Sequence, residues 1–398
     1  YEDADTFYAA IIDSIQKDLE GNDEHILSSL KAYSSSIAAT NQVAGGKAVS
    51  EVGNIHNVIL EEAARSNPLD LLIPMTKAED RIIMVGDHQQ LPHMLEPRIA
   101  DEAVSGIKDD ELKAQLRKGY EDSLFKRIFD NLQKDGVVPQ RQIMLRTQFR
   151  MHPVIGNFVS QVYYKGKLES GNTEIIPHGL TFDLVKDKVA VFDNIPSSEG
   201  QEEQERSKYR LSECMRVLEI LDWIFNDPAS KNLSIGVITF YAKQRDTILE
   251  MASQDGRSYT EDAGEGEYRI SDKYKNFEDG KERLRIGSVD SFQGKEFDVV
   301  ILSTVRSNDI KPSDPICIQN EIKRIKERKR IDISEEEAKE NLLRQKYGFL
   351  MLENRLNVAF SRAKKLLITI GDGAMYQDED AQTYVEGLYE FYKRFASK

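Results

Sequence analysis

Six short apolar runs, at 57–60, 82–85, 189–192, 235–239, 299–303 and 366–370, are separated mostly by stretches of helical periodicity. Runs this brief and this uniformly apolar fit strands covered on both faces, and their alternation with helices predicts an α/β fold with mostly parallel sheets. Two of the runs end in acids. "HNVILEEAARSN", residues 56–67, stops at Glu61 and Glu62, and "RIIMVGDHQQLPH", residues 81–93, stops at Gly86 and Asp87. Strands punctuated in this way direct their ends at something charged.

The 398 residues suffice for two or three domains, and the 40% of apolar residues suffice to bury a core. Residues 1–35 read as amphipathic helix, from the spacing in "FYAAIIDSIQKDL". No apolar run reaches the roughly 18 residues of a membrane span, and no signal-peptide pattern opens the chain. Cys214 and Cys317 are too few for a metal cluster; as free thiols they point to a reducing compartment, and the expected location is cytoplasmic. The six histidines lack metal spacing, and His152 reads as a structural hydrogen-bonding residue. A net charge of −14 argues against a general polyanion binder but leaves room for a local basic groove. Two segments look like insertions: 253–284, with "DAGEGE", and 319–346, with "KRIKERKR" followed by "SEEEAKE". The second predicts one charged helix, either a solvated face or a nucleic-acid contact.

A phosphate loop of the form G-x-x-x-x-G-K-[ST] is missing. In "NQVAGGKAVS", Asn41 stands where the first glycine belongs and Ala48 where the hydroxyl belongs, so this is a glycine-containing turn. An acid pair after an apolar strand nevertheless suits a site in which one carboxylate holds Mg²⁺ or its water shell and the other accepts a proton, and it equally suits a simple negative charge at a helix N-terminus.

Five further segments appear in a fixed order: "GDHQQLPH", "LRTQFRMHPVIGNFVSQVYYKGKL", "IGVITFYAKQRDTI", "LRIGSVDSFQGKEFDVVILSTVRSN" and "GFLMLENRLNVAFSRAKKLLITIGD". In that order they resemble the superfamily 1 helicases, and most of all the subgroup typified by the up-frameshift RNA helicase and the nuclease–helicases. The resemblance runs from about Ser36 to Asp372. It implies tandem RecA-like (P-loop NTPase) domains with ATP in the cleft between them. The first domain would be incomplete here, because the family's phosphate loop belongs upstream of Tyr1. The implied division is 1–35 as the tail of a first-domain insertion, 36–144 as the rest of the first domain and 145–398 as the second. Glu61 stands at the Mg²⁺-associated acid, Glu62 at the base that polarises the attacking water, and Gln90 at the γ-phosphate sensor. Arg150 and Arg362 match the arginines that stabilise charge on the transferring phosphoryl oxygens, with surface salt bridges as the alternative. Phe149 would stack on adenine or pack in the core. Glu296, beside Gly294 in "FQGKE", matches the acid that binds the nucleotide sugar. Thr40, in what looks like a threonine-containing strand, would touch the nucleic-acid backbone, together with Thr239, Ser288 and Gln293. Asp87 and Asp290 either serve the motifs or cap the segments after them.

Three departures from the family pattern bear on activity. Glu61-Glu62-Ala63-Ala64-Arg65 replaces the usual Asp-Glu-Ala-x-Gln, His93 replaces a second proline, and Ser361 replaces a common threonine. The expected function is an ATP-dependent helicase or translocase on single-stranded DNA or RNA, with ATP and Mg²⁺. The chain alone, without the phosphate-binding lysine, is expected to be inactive. The alternative is a degenerate helicase-like module that binds nucleic acid or protein without productive hydrolysis. The sequence names no protein partner.

Overall fold

The structure, a computed structural model, describes residues 34–50, 55–91, 107, 109, 112, 123–134, 141–171 and 177–396. Its Cα packing divides the chain into two compact units. One comprises Tyr1–His88 and Pro92–Val138, and the other Gln89–Leu91 and Pro139–Lys398. Most of the helix expected over 1–35 lies outside the described residues.

In the first unit, strands β1 (Ile55–Leu60) and β2 (Ala78–Met84) pair in parallel. They are joined by helix α1 (Pro68–Met75), which starts at Asn67, whose side chain accepts the Leu69 N–H at 2.9 Å. A small core gathers Leu60, Ala63 and Leu71, with Leu124 and Phe125 of α2 (Leu124–Lys134) beside it. These strands are not covered on both faces as their apolar sequence led us to expect: Ile59, Ile82 and Ile83 are exposed. The apolar cluster takes Val58, Leu60 and Met84 from one face of the pair, and Ile82 on that same face lies beyond its cover. Residues 36–40 form no strand, and Thr40 instead precedes the short helix Asn41–Ala44. Gly45 and Gly46 then turn the chain before a second short helix, Lys47–Ser50.

The second unit is built on a five-stranded parallel sheet. Its strands are β3 (Ala190–Asn194), β4 (Ile235–Thr239), β5 (Leu284–Ser288), β6 (Phe297–Ser303) and β7 (Ala363–Gly371), in the order β5-β4-β6-β7-β3. The apolar runs marked four of them. β5 was missed because Arg285 breaks the apolar run of "LRIGS" after its first residue. Side chains alternate between two cores. Val299 and Ile301 join Cys214, Val217, Ile220 and Leu221 of α4 (Leu211–Asn226) and Ile248 of α5 (Ala242–Met251). Val300 and Leu302 join Phe158 of α3 (Pro153–Tyr163), Leu356 and Phe360 of the helix Glu353–Phe360, and Leu388 and Phe391 near the C-terminus.

Of the two expected insertions, 253–284 contains the hairpin Thr260–Gly264/Glu267–Ile270. The other is a pair of helices rather than the single helix expected, α6 (Pro315–Lys329) and α7 (Glu335–Tyr347). Arg330 adopts a left-handed conformation that ends α6, and a Ser334–Glu337 capping box starts α7. The next helix along the chain, Glu353–Phe360, is α8. No helix of the described residues is long and apolar enough to cross a membrane. Cys214 is buried and Cys317 half-buried, and both are free.

One ion pair is fully enclosed. Arg210 donates to Glu213 at 3.2 Å and to the carbonyls of Ile195, Pro196 and Gly200 at 2.8–2.9 Å. Glu213 also accepts from Ser303 Oγ at 2.7 Å and from the Val305 N–H at 2.9 Å. Val305 has φ +71°, a strained conformation for a β-branched residue, and the carboxylate helps to hold it there. Removing one member strands a buried charge, so Glu213→Leu is expected to cost about 3–5 kcal/mol in urea unfolding. Arg210→Met combined with Glu213→Leu should recover most of that loss.

Candidate functional site

In the first unit the two acid-bearing strand ends are bound together by backbone. The Val85 N–H donates to the Leu60 carbonyl at 2.8 Å, and the Ala63 N–H donates to the Val85 carbonyl at 2.9 Å. Gly86 fits because it lacks a side chain: a Cβ there would lie 2.8 Å from the Ala64 nitrogen. Ala63 and Ala64 are buried beneath, while Glu61 and Glu62 are exposed and Asp87 is half-buried. Glu62 has φ +52°, so the turn that presents the acids carries strain. Arg65 and Ser66 N–H groups both return to the Glu62 carbonyl, at 3.0 and 3.3 Å. Carboxylate oxygens of this kind fit Mg²⁺, which takes one or two of them and fills its shell with water and phosphate oxygens. Among the described residues no group of three or more His, Cys, Asp or Glu could form an all-protein cage. Thr40 is exposed and makes no side-chain cap for the helix it precedes.

The second unit assembles a denser cluster at the amino ends of β6 and β7. Arg362, immediately before β7, is 2% exposed. Its guanidinium donates to the carbonyls of Val358 (3.0 Å) and Lys295 (3.2 Å), to Ser361 Oγ (3.0 Å) and to the side-chain oxygen of Gln90 (3.2 Å). Gln90 is held in place by two asparagines of α8, since Asn357 donates to the Gln89 carbonyl at 3.0 Å and Asn354 to the Gln90 carbonyl at 3.3 Å. Gly294 has φ +74°, which lets "FQGKE" turn so that the Lys295 carbonyl faces Arg362.

Glu296, immediately before β6, accepts from Arg150 Nε at 2.9 Å, with both groups partly open to solvent. Gln148 shapes the loop that carries Arg150. Its side-chain oxygen takes the N–H groups of Arg150 and Met151 at 2.9 and 2.7 Å, and its amide nitrogen donates to the Met151 carbonyl and Ser170 Oγ. Phe149 is 68% exposed, so it is not a core residue, and a Cβ on Gly171 would collide with its ring. His152 caps α3 by accepting the Val154 N–H at 3.2 Å, and burial lowers its pKa.

The hydroxyl residues sit at the opposite, carboxyl rim of the sheet. Thr239 and Ser288 are register partners at the ends of β4 and β5. Ser288 and Gln293 are half-buried, whereas Thr239 is fully buried and offers no surface to solvent. Asp290 pairs with Arg355 at 3.4 Å. Sequence reasoning missed Gln148, Asn354 and Asn357. Their amide side chains lie within the helicase-like segments, two residues before Arg150 and eight and five before Arg362, but they carry no charge to draw notice.

A parallel sheet flanked by helices is the α/β architecture expected of a RecA-like (P-loop NTPase) domain. The chain belongs to the AAA domain family, with one family model of that description matching residues 120–374 and a second matching residues 8–95. Within it the chain groups with the superfamily 1 helicases of the up-frameshift type. It is similar to the ATP-dependent helicase NAM7 of Saccharomyces cerevisiae, with 29% identity over 79% of this chain and 25% of that protein. It is likewise similar to the regulator of nonsense transcripts 1 of Caenorhabditis elegans, with 27% identity over 81% of this chain and 24% of that protein. The chain thus spans about a quarter of the length of these relatives. Among solved structures, arterivirus nonstructural protein 10 (helicase) matches 80% of this chain and 39% of that chain at 14% identity, with a TM-score of 0.29. That likeness is too slight to bear on the argument.

One titrating group lies on the same helix as the two asparagines. Glu353 is half-buried, with its Oε2 enclosed beside the Tyr163 hydroxyl in space left by Gly387, and desolvation pushes its carboxyl up to about 7 from 4.5. The folded state therefore holds this proton more tightly than the unfolded chain. Stability from the protonated form is complete below about pH 4.5 and is lost as pH rises to about 7. Urea unfolding across that range should show wild type losing about 3 kcal/mol more than Glu353→Gln.

Proposed function

We propose that this chain forms the core of an ATP-driven motor that moves along single-stranded nucleic acid, DNA or RNA. The observation that carries this reading is the contact of Arg362 with Gln90 at 3.2 Å, beside the Arg150–Glu296 pair. It supports a site in which an amide that senses the γ-phosphate and an arginine that neutralises it work together. In this reading Glu62 accepts the proton of the attacking water. Arg150 and Arg362 stabilise charge on the transferring phosphoryl oxygens, Phe149 stacks on the base, and Glu296, beside Gly294, takes the sugar hydroxyls. Glu61 would hold Mg²⁺ or its water shell, and the ion, when bound, would neutralise phosphate charge. Arg150 and Glu296 satisfy each other at 2.9 Å, so a nucleotide must take over both groups. Ser288, Gln293 and Thr40 touch the nucleic-acid backbone, and Thr239 joins them only if the rim opens.

A second reading, binding without productive hydrolysis, is favoured by Glu61 and Arg65, which stand where the family has aspartate and glutamine. ATP turnover by the full-length protein, with and without single-stranded RNA or DNA, separates the two. Under the motor reading Glu62→Gln lowers turnover by about 10²–10⁴-fold while nucleotide binding survives. Arg362→Ala lowers it by about 10³-fold or more. A wild-type protein that binds nucleotide and never turns it over would sink the motor and leave the second reading.

A further inference from the structure

The helix pair α6–α7 takes no part in the site described above. It encloses a cleft of about 380 Å³ lined by Glu321, Arg324, Arg328, Lys329, Asn341 and Arg344, with Ile325 and Gln345 below. Glu321 is the only acid in that lining, and it is already committed. It is 4% exposed, accepts from Arg324 Nε and Nη2 at 2.8 and 2.7 Å, and accepts from Gln345 at 3.1 Å. Arg344 pairs with Glu340 at 2.6 Å. Arg328 and Lys329 are exposed and make no side-chain hydrogen bond or ion pair among the described residues.

Four cations thus converge on a cleft with one carboxylate, in a chain of net charge −14. A solvated helix face accounts for Lys323 and Lys326, which have Glu327 and Asp332 as partners. The helix dipoles favour cations in the last turns of α6 and α7, where Arg328, Lys329 and Arg344 lie, yet a dipole does not neutralise Arg328 and Lys329, which have no acid partner among the described residues. An anion in the cleft relieves the repulsion. The lining holds no aromatic side chain, and its one apolar residue, Ile325, is buried, so it offers no anchor pocket for a peptide. Arg328 and Lys329, the two cations without a carboxylate partner, suit phosphate oxygens instead.

We infer that the α6–α7 cleft is an additional contact for the sugar–phosphate backbone of single-stranded nucleic acid, apart from the motif residues at the sheet rims. It reads charge and not sequence. The inference rests on the nucleic-acid reading proposed above. The test is fluorescence anisotropy of labelled 20-mers of oligo(dT) and oligo(U) with the full-length protein across a salt series. Arg328→Ser/Lys329→Ser is compared with wild type and with Lys186→Ser/Lys231→Ser, two exposed lysines elsewhere that control for net charge. The cleft variant should bind about tenfold more weakly, with the slope of log K against log salt smaller in magnitude by about 1.4, the release expected for two single-strand phosphate contacts. If wild type binds and the cleft variant matches the control pair, the inference is overturned and the motor reading stands. If wild type binds neither oligonucleotide while turning over ATP, the nucleic-acid reading itself fails and takes the inference with it. If the cleft variant loses only binding of a poly-glutamate 20-mer, the surface serves an acidic polypeptide, and the nucleic-acid assignment is wrong.

Discussion

Strand β6 divides its side chains between two cores, and every one of its residues is buried. Val299 and Ile301 enter one core and Val300 and Leu302 the other, and a register irregularity after Phe297 turns that ring towards the second. Each such side chain contributes roughly 1.5–3 kcal/mol when taken from water. A slip of one residue would exchange the two sets and place Asp298 and Ser303 in apolar surroundings. Hydrogen bonds close off that alternative at both ends. Asp298 accepts from the Ser234 N–H and hydroxyl at 3.0 and 2.9 Å, and Ser303 engages Glu213 and Gln244. With β6 fixed, Glu296 before it and Arg362 before its neighbour β7 are fixed as well, through the Phe297 N–H donating to the Arg362 carbonyl at 3.0 Å.

The unit therefore has two chemically distinct rims. The amino rim holds guanidinium, carboxylate and amide groups: Arg150, Glu296, Arg362 and Gln90. The carboxyl rim holds hydroxyls, with Ser288 and Thr239 in register and Ser303 beside them. Beneath the carboxyl rim lies the buried pair Arg210–Glu213, which keeps Val305 in its unusual conformation. Burial raises the Glu213 carboxyl and the Arg210 guanidinium pulls it back. The site thus depends on an enclosed charge pair that itself faces no ligand.

The α/β class and four of the five long strands of the second unit were legible, because a fully buried strand leaves no polar residue to break its run. β5 was not, since Arg285 interrupts it. The first unit misled for the opposite reason: its strands read as buried, yet Ile59, Ile82 and Ile83 are exposed. Within the candidate site, Arg150, Glu296 and Arg362 drew notice in the sequence as charged residues in ordered segments. What could not be read was which partner each would choose. Arg150 meets Glu296, Arg362 meets Gln90, and Thr239 turns inward, all outcomes of packing between residues far apart in the chain. The break between α6 and α7 was written locally, in Arg330 and the Ser334–Glu337 box, but a charge run masked it.

The two rims are joined by a link with almost no slack. From Ser288 the chain passes through the 3₁₀ turn Val289–Phe292 and the Gly294 bend, and it reaches Phe297 at the start of β6. In register, that start lies about 20 Å down the sheet from Ser303 and about 10 Å across, since β4 stands between β5 and β6. The straight span is therefore about 22 Å. Nine extended residues would reach about 30 Å, and the 3₁₀ turn together with the turn closed by the Lys295 N–H on the Phe292 carbonyl at 3.0 Å takes up the difference. A tether this taut transmits displacement like a drawn wire. If Ser288 shifts by more than a few ångströms, Lys295 and Glu296 must follow, and with them the oxygens that face Arg362 and Arg150.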